Sequence, residues 1–149
     1  MDKQYDAVAD TKAEWNELGF YYDYNNEAKE WRIEGSREGL LELVKILRNY
    51  ASKERNSQLS EHDHLGPYMY LKIVTSELPQ FNDDGIYGTL PDLQRLSKLI
   101  EESIGKSEPG DTLVIDKEYS NSNETVLSLI VRDDGFDPSE PDDFAWAKK

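Results

Sequence analysis

The chain has 149 residues, no cysteine, and 31 Asp and Glu against 17 Lys and Arg, a formal net charge of −14. That length suits one domain with its own core, and the lack of cysteine removes disulfides and thiolate metal sites. The acidity disfavours nucleic-acid binding through a phosphate-neutralising basic face and would instead steer a basic protein partner towards the chain. The excess is uneven. Residues 1–106 carry 20 acids and 13 bases, a balance of −7, and residues 107–149 carry 11 acids and 4 bases, another −7. Solubility alone would also explain an acidic composition. The opening MDKQYDAVAD lacks a basic segment followed by an apolar one, so no signal peptide is expected. No apolar run reaches the roughly 20 residues of a membrane span, and the expected location is cytoplasmic.

From the N-terminus, Asp6 to Leu18 reads as a helix through Val8, Trp15 and its alanines. GFYYDYNNEAKEWRIEG reads as a hairpin. Phe20 to Tyr24 is rich in aromatics, Asn25-Asn26 is turn material, and Trp31 and Ile33 alternate with charged residues. The alternation predicts Phe20, Tyr22 and Tyr24 on one face and an exposed Tyr21. Ser36 is placed to cap a helix from Arg37 to about Lys53, whose stripe is Leu40, Leu43, Val44, Leu47 and Tyr50. The polar stretch KERNSQLSEHDH then reads as a loop.

PYMYLKIVT, Pro67 to Thr75, reads as the main central strand. Asn82 to Gly85 reads as a turn leading to a short strand at Ile86-Tyr87. Thr89, with Pro91 and Asp92, starts a helix whose stripe is Leu93, Leu96, Ile100 and Ile104 and which Gly105 ends. Thr112 to Glu118 and Thr125 to Val131 are two further strands. The acidic, Pro-containing end suggests a domain over 1–136 and a flexible acidic tail over 137–149.

An internal repeat organises this pattern. Residues 33–47, IEGSREGLLELVKIL, align with 86–100, IYGTLPDLQRLSKLI, at an offset of 53. Each unit is a strand end, a glycine expected to let the backbone turn, a hydroxyl cap and an amphipathic helix. Duplication would produce this, and so would the shared demands of helix capping. The expected fold class is α+β: a mostly antiparallel sheet of about six strands in ββα-ββα-ββ order, with the two main helices on one face.

Catalytic candidates are few. No serine sits in a G-x-S-x-G elbow and no phosphate-binding glycine loop is present. Asp83-Asp84 and Asp133-Asp134 are adjacent acids, but each precedes a glycine, where aspartate serves turns better than catalysis. No catalytic residue and no cofactor are expected. SEHDHLGPYMYLKI stands out because it holds both histidines. His62 and His64, two apart, project to one side of an extended chain while Glu61 and Asp63 project to the other. Two histidines fall short of a metal site without distant ligands, so no metal site is expected. A recognition surface made of Glu61, His62, Asp63, His64, Tyr68 and Tyr70 suits these residue types better, since tyrosine offers contact area at low entropic cost.

Taken together, WRIEGSREGLLELVKIL, SEHDHLGPYMYLKIVT and GIYGTLPDLQRLSKLI resemble the immunity proteins of bacterial polymorphic-toxin systems, in particular the group called immunity protein 32. The likeness spans roughly Tyr24 to Ile104, with EHDHLGPYMYL its most specific part. It implies a small α+β protein without enzymatic activity that binds and neutralises a cognate toxin, as toxin-antitoxin partners do. The acidic charge points to a toxin with a basic surface, and a homodimer is compatible with the sequence. A metal-binding or metal-dependent enzyme domain centred on His62 and His64 is the competing reading. A regulatory module binding a ligand between sheet and helices is a third.

Overall fold

Each β-hairpin and each helix is local in sequence, but one central strand pairing joins distant parts of the chain, residues 30–36 with 126–132. The computed structural model describes residues 7–67 and 69–144. Its elements in chain order are α1 (Ala7–Leu18), β1 (Tyr21–Asn25), β2 (Glu30–Ser36), α2 (Arg37–Ala51), a 3-10 turn (Glu54–Ser57), β3 (His62–Leu65), β4 (Leu71–Thr75), β5 (Gln80–Asn82), β6 (Gly85–Gly88), α3 (Leu90–Gly105), β7 (Thr112–Ile115) and β8 (Val126–Arg132). No helix among the described residues is long and apolar enough to cross a membrane.

The class is α+β, but in place of one sheet of about six strands there are two four-stranded sheets, ordered β1-β2-β8-β7 and β3-β4-β6-β5. Both are mixed. The outer pairs are antiparallel, whereas β2 runs parallel to β8 and β4 parallel to β6. Two strands escape the hydrophobic pattern. β5 is only three residues long. β3 has three exposed residues out of four, because an edge strand is held by backbone bonds on one side and needs no apolar face. The expected strand from Pro67 begins only at Leu71, since Met69 has a left-handed backbone (φ 50°) that breaks the extended run.

The registers display the repeat in three dimensions. β1-β2-α2-β3-β4 and β5-β6-α3-β7-β8 are matching ββαββ units, and each donates its last hairpin to the other unit's sheet. In one sheet Ile33 stands between Tyr22 and Leu129, and in the other Ile86 stands between Phe81 and Ile73. All six side chains are buried. The helices do not share one face of a common sheet: α2 packs on β2 and β8, α3 packs on β6, and the two helices pack on each other. Where they meet, Arg48 binds both carboxylate oxygens of Glu101 at 3.2 and 2.6 Å. These two positions are equivalent at the offset of 53.

Both helix starts form as their sequences dictate. The Ser36 hydroxyl accepts from the Gly39 amide at 3.0 Å, and Thr89 with Asp92 closes a reciprocal capping box. The repeated glycines act differently from expectation. Neither Gly35 nor Gly88 has a positive φ. A side chain at Gly35 would crowd Phe20 and Leu40, and one at Gly88 would collide with the Tyr119 hydroxyl. The repeat needs close approach there, and the turning itself comes from the capped helix starts.

The segment expected to be flexible from 137 is packed onto α1 as far as Phe144. The Trp15 indole Nε1 donates to Asp142 at 2.9 Å, Ser139 and Asp142 are buried, and Lys12 lies 5.7 Å from the centre of the Phe144 ring. Acidity did not prevent docking because the carboxylates serve as hydrogen-bond acceptors. Trp146 and the other residues of 145–149 lie outside the described residues.

Ile33 and Ile86 are both fully inaccessible, so Ile33→Ala and Ile86→Ala should each cost about 2–5 kcal/mol in urea melts. Arg48→Met, which removes a half-exposed ion pair, should cost under about 1 kcal/mol. A loss at Ile86 as small as that at Arg48 would contradict its central place in the second sheet.

Candidate partner-binding site

The seam between the two sheets opens into a groove of about 830 Å³, a volume within the ~300–1,000 Å³ range of small-ligand clefts. The first sheet supplies Tyr21, Tyr22, Asp23, Tyr24 and Trp31, and the second supplies Lys72 with Asp83 and Asp84 of the β5–β6 turn. Met69 and Tyr70 enter from the β3–β4 loop, Trp15 from α1, and Pro141, Asp142 and Asp143 from the C-terminal segment.

Aromatic packing and satisfied donors build the floor. Trp15 lies 4.7 Å from Tyr21 and 5.0 Å from Tyr22, and Trp31 lies 6.1 Å from Tyr22 and 5.1 Å from Tyr24, ring centre to ring centre. Tyr21, expected to be exposed, is half-buried by this arrangement. The Tyr22 hydroxyl donates to the Leu65 carbonyl at 2.8 Å and the Trp31 Nε1 to the Asn82 carbonyl at 2.7 Å, both bonds crossing from one sheet to the other. Gly66 makes the first of these possible. Its φ of 92° and its lack of a side chain let the loop lie against the Tyr22 hydroxyl, where any Cβ would collide.

Carboxylates dominate the rim. Among the described residues Asp23, Asp83, Asp84, Asp142 and Asp143 line the groove with Lys72 as the single basic residue, and Lys72 is 3.9 Å from Asp84. Burial, chiefly, with Asp23, Asp142, Glu34 and Asp143 adding to it, holds the proton of Tyr21 well above the usual tyrosine range. Burial and then Asp83 and Glu124 raise Tyr24 in the same sense. Asp23 reaches the surface, yet desolvation by the groove wall raises its carboxyl above the ordinary range, against the lowering by the Tyr24 backbone and Arg32.

The sequence-predicted residues border this groove on one side. His62, Asp63 and His64 form the exposed part of β3. The His62 and His64 rings are 5.0 Å apart, and His64 stacks on Tyr70 at 4.9 Å with an 18° interplanar angle. The His62 Nδ1 lies 3.0 Å from the Ser60 carbonyl. Glu61 acts through its backbone, accepting from the Thr75 amide at 2.8 Å with the Tyr50 hydroxyl also 2.8 Å away, which pins the start of β3. Tyr70 is 46% exposed and faces the groove. Tyr68 lies outside the described residues. No group of three or more His, Cys, Asp or Glu among the described residues is placed to hold a metal ion.

Sequence reasoning did not assign Asp23, Tyr24, Trp31, Asp83, Asp84, Asp142 or Asp143 to a site. FYYDYNN carried the signal, an acid inside an aromatic strand, and the Asp83-Asp84 pair carried another. The turn reading of that pair holds as well: Asn82 accepts from the Asp84 and Gly85 amides at 2.9 and 3.2 Å, which leaves the two carboxylates at the groove. Comparison with known protein families, with curated proteins and with solved structures finds no match.

The raised tyrosines set a sign for alkaline stability. Tyr119, like Tyr21, is raised by burial first, and then by Asp92. Both hydroxyls ionise near pH 10 in the unfolded chain and stay neutral in the folded one. Their stabilisation is therefore complete below pH ~10 and is lost as pH rises above it. Urea midpoints should fall between about pH 9 and about pH 11, and Tyr21→Phe should flatten that fall. An unchanged slope in the variant would contradict the half-buried, carboxylate-flanked setting of Tyr21.

Proposed function

We propose that this chain is a non-enzymatic binding protein for a basic protein surface, and specifically an immunity protein that neutralises a cognate bacterial toxin domain inside the cell. The observation that carries the first half is the groove, where the half-buried Tyr21 and Tyr24 and the exposed Tyr70 stand among rim carboxylates, next to the exposed His62–His64–Tyr70 ring ladder. Carboxylates and π faces attract cations, and the −14 net charge extends that preference to long range. The second half rests on the resemblance of the EHDHLGPYMYL segment to toxin-immunity proteins. That segment builds β3 and the loop beside the groove.

Recognition would follow a familiar division of labour. Charge governs encounter, whereas a few central aromatic contacts govern how long the complex lasts. Tyr70 suits the second role. It is half-exposed, its ring is held by His64, and its truncation opens no core.

Raising salt from ~50 to ~500 mM should slow association with the toxin domain encoded beside this gene about tenfold, with dissociation changing less. Tyr70→Ala should cost about 2 kcal/mol of binding without lowering the melting temperature, and removal of one rim carboxylate well under 1 kcal/mol. Cell growth is the decisive readout. The chain, co-expressed with that toxin domain, should rescue growth where an unrelated acidic protein does not, and equal rescue by both would end the immunity reading.

A further inference from the structure

The two sheets have four edge strands, β1, β7, β3 and β5, and an edge offers its free backbone to any extended chain unless something blunts it. β5 is covered. The Phe81 amide donates to the Asn123 side chain at 2.8 Å, and its carbonyl accepts from the Glu124 and Thr125 amides. β1 carries Asp23 and borders the groove. The remaining edges, β3 and β7, are equivalent strands of the two repeats, and both hairpins open on the same bulge. Ser60 donates to the Thr75 carbonyl at 2.9 Å while Thr75 donates to Glu61 at 2.8 Å, and Gly110 and Asp111 meet Val131 in the same way at 2.7 and 2.9 Å. Ser60 and Gly110 both have left-handed backbones, with φ of 76° and 102°.

The bulge decides which backbone groups point outwards. Bonded and non-bonded residues alternate along an antiparallel ladder. With Asp111 bonded to Val131, Leu113 and Ile115 turn their amides to β8, and Thr112 and Val114 turn theirs to the open edge. On β3 the corresponding residues are His62 and His64, with Asp63 between them, and these polar side chains blunt the edge. β7 has no such protection. It reads Thr-Leu-Val-Ile, Val114 is 52% exposed, and no strand among the described residues pairs with its outer side. On the same face β8 adds the half-buried Val126 and Ile130. Two free amides and two free carbonyls therefore run along an apolar, β-branched strip, a combination that suits an added strand.

Charge selects the occupant. Asp111 and Asp116 close the two ends of β7, and over residues 107–118 four acids stand against Lys117. A second copy pairing antiparallel through Thr112 and Val114 would bring Asp111 of each chain towards Asp116 of the other, twice over, with −14 on both chains. Like charges so placed oppose self-pairing, whereas a basic strand meets opposite charge at both ends. We propose that β7 is a docking edge for an extended strand of a basic protein partner, with β-branched residues along Thr112 and Val114 and a Lys or Arg at each end towards Asp111 and Asp116. β7 and β1 are opposite edges of the first sheet, and β7 lines no part of the groove. The inference therefore stands apart from the groove and from the immunity reading.

The test uses the full chain at ~50 mM salt and an acetyl-Lys-Thr-Val-Thr-Val-Lys amide peptide, followed through the backbone amide resonances of Thr112 and Val114. Both should shift saturably and exchange more slowly with solvent. A counterpart with Glu at both ends should bind at least about tenfold more weakly. A counterpart N-methylated at its four central residues, which keeps the charge and loses the donors, should protect neither amide. Val114→Pro removes an outward N–H that the β7–β8 ladder does not use and should abolish binding. Should it also lower the melting temperature, Val114→Lys, which keeps the backbone and adds like charge, should still weaken binding about fivefold or more. His64→Lys, the equivalent change on β3, should leave binding unchanged. Equal binding of the Glu-ended peptide, an equal loss in His64→Lys, no saturable shift at Thr112 and Val114, or sedimentation of the free chain as a dimer that Val114→Lys dissolves would each overturn the proposal.

Discussion

Each sheet is held at its middle by a parallel pair whose strands come from different halves of the chain. Residues 30–36 of β2 lie against 126–132 of β8, and 72–75 of β4 against 85–88 of β6. Parallel neighbours cannot be joined by a tight turn and need a long crossover, usually helical. α2, the second sheet, α3 and β7 lie between β2 and β8 in sequence, whereas β4 and β6 are separated only by the short strand β5 and its flanking turns. The exchange buries Ile33, Leu129, Ile73 and Ile86 at the two centres and pushes the antiparallel hairpins outwards as edges. Everything peripheral, including the groove, depends on that exchange being complete.

The groove is a product of the seam. It arises because the β1–β2 hairpin of one sheet meets the β3–β4 loop and the β5–β6 turn of the other, tied together by Tyr22 to Leu65 and Trp31 to Asn82. The β5 strand is bound to the other sheet as well, since the Phe81 carbonyl accepts from the Glu124 and Thr125 amides at 2.9 and 3.3 Å. Hydrogen bonds across a seam hold two bodies at a fixed spacing, and a fixed spacing lets rings and carboxylates from separate elements act as one surface. The C-terminal segment completes the rim through Asp142, which also accepts the buried Trp15 indole bond.

The same rim shows a tension between stability and recognition. Burial, and then the neighbouring carboxylates, raise the proton affinity of Tyr21, and burial raises that of Asp23. In the free protein that is unfavourable electrostatics. Stability alone would favour amides or hydroxyls at such places, so the retained charges are the kind of local inconsistency expected where a surface serves a partner. Ion pairs elsewhere are ordinary by comparison, including the half-exposed Arg48–Glu101 pair between the two equivalent helices.

The sequence by itself determined the pieces. Helix stripes at Leu40–Leu47 and Leu93–Ile104, caps at Ser36 and Thr89, the Tyr22–Ile33 hairpin and the repeat at 53 are written in local spacing, because each depends on neighbours within a few residues along the chain. The α+β class follows from them. What only the tertiary structure decided is how the pieces are shared. Swapping final hairpins between the repeats changes no local spacing, so one six-stranded sheet and two exchanged four-stranded sheets read alike in one dimension. β3 and β5 were hidden because edge strands are specified by backbone pairing and not by side-chain pattern. The acids at 23, 83, 84, 142 and 143 looked like strand, turn and tail residues for the same reason: their convergence is set by which strands become neighbours, and that is fixed by burial at the two sheet centres far from where those acids stand.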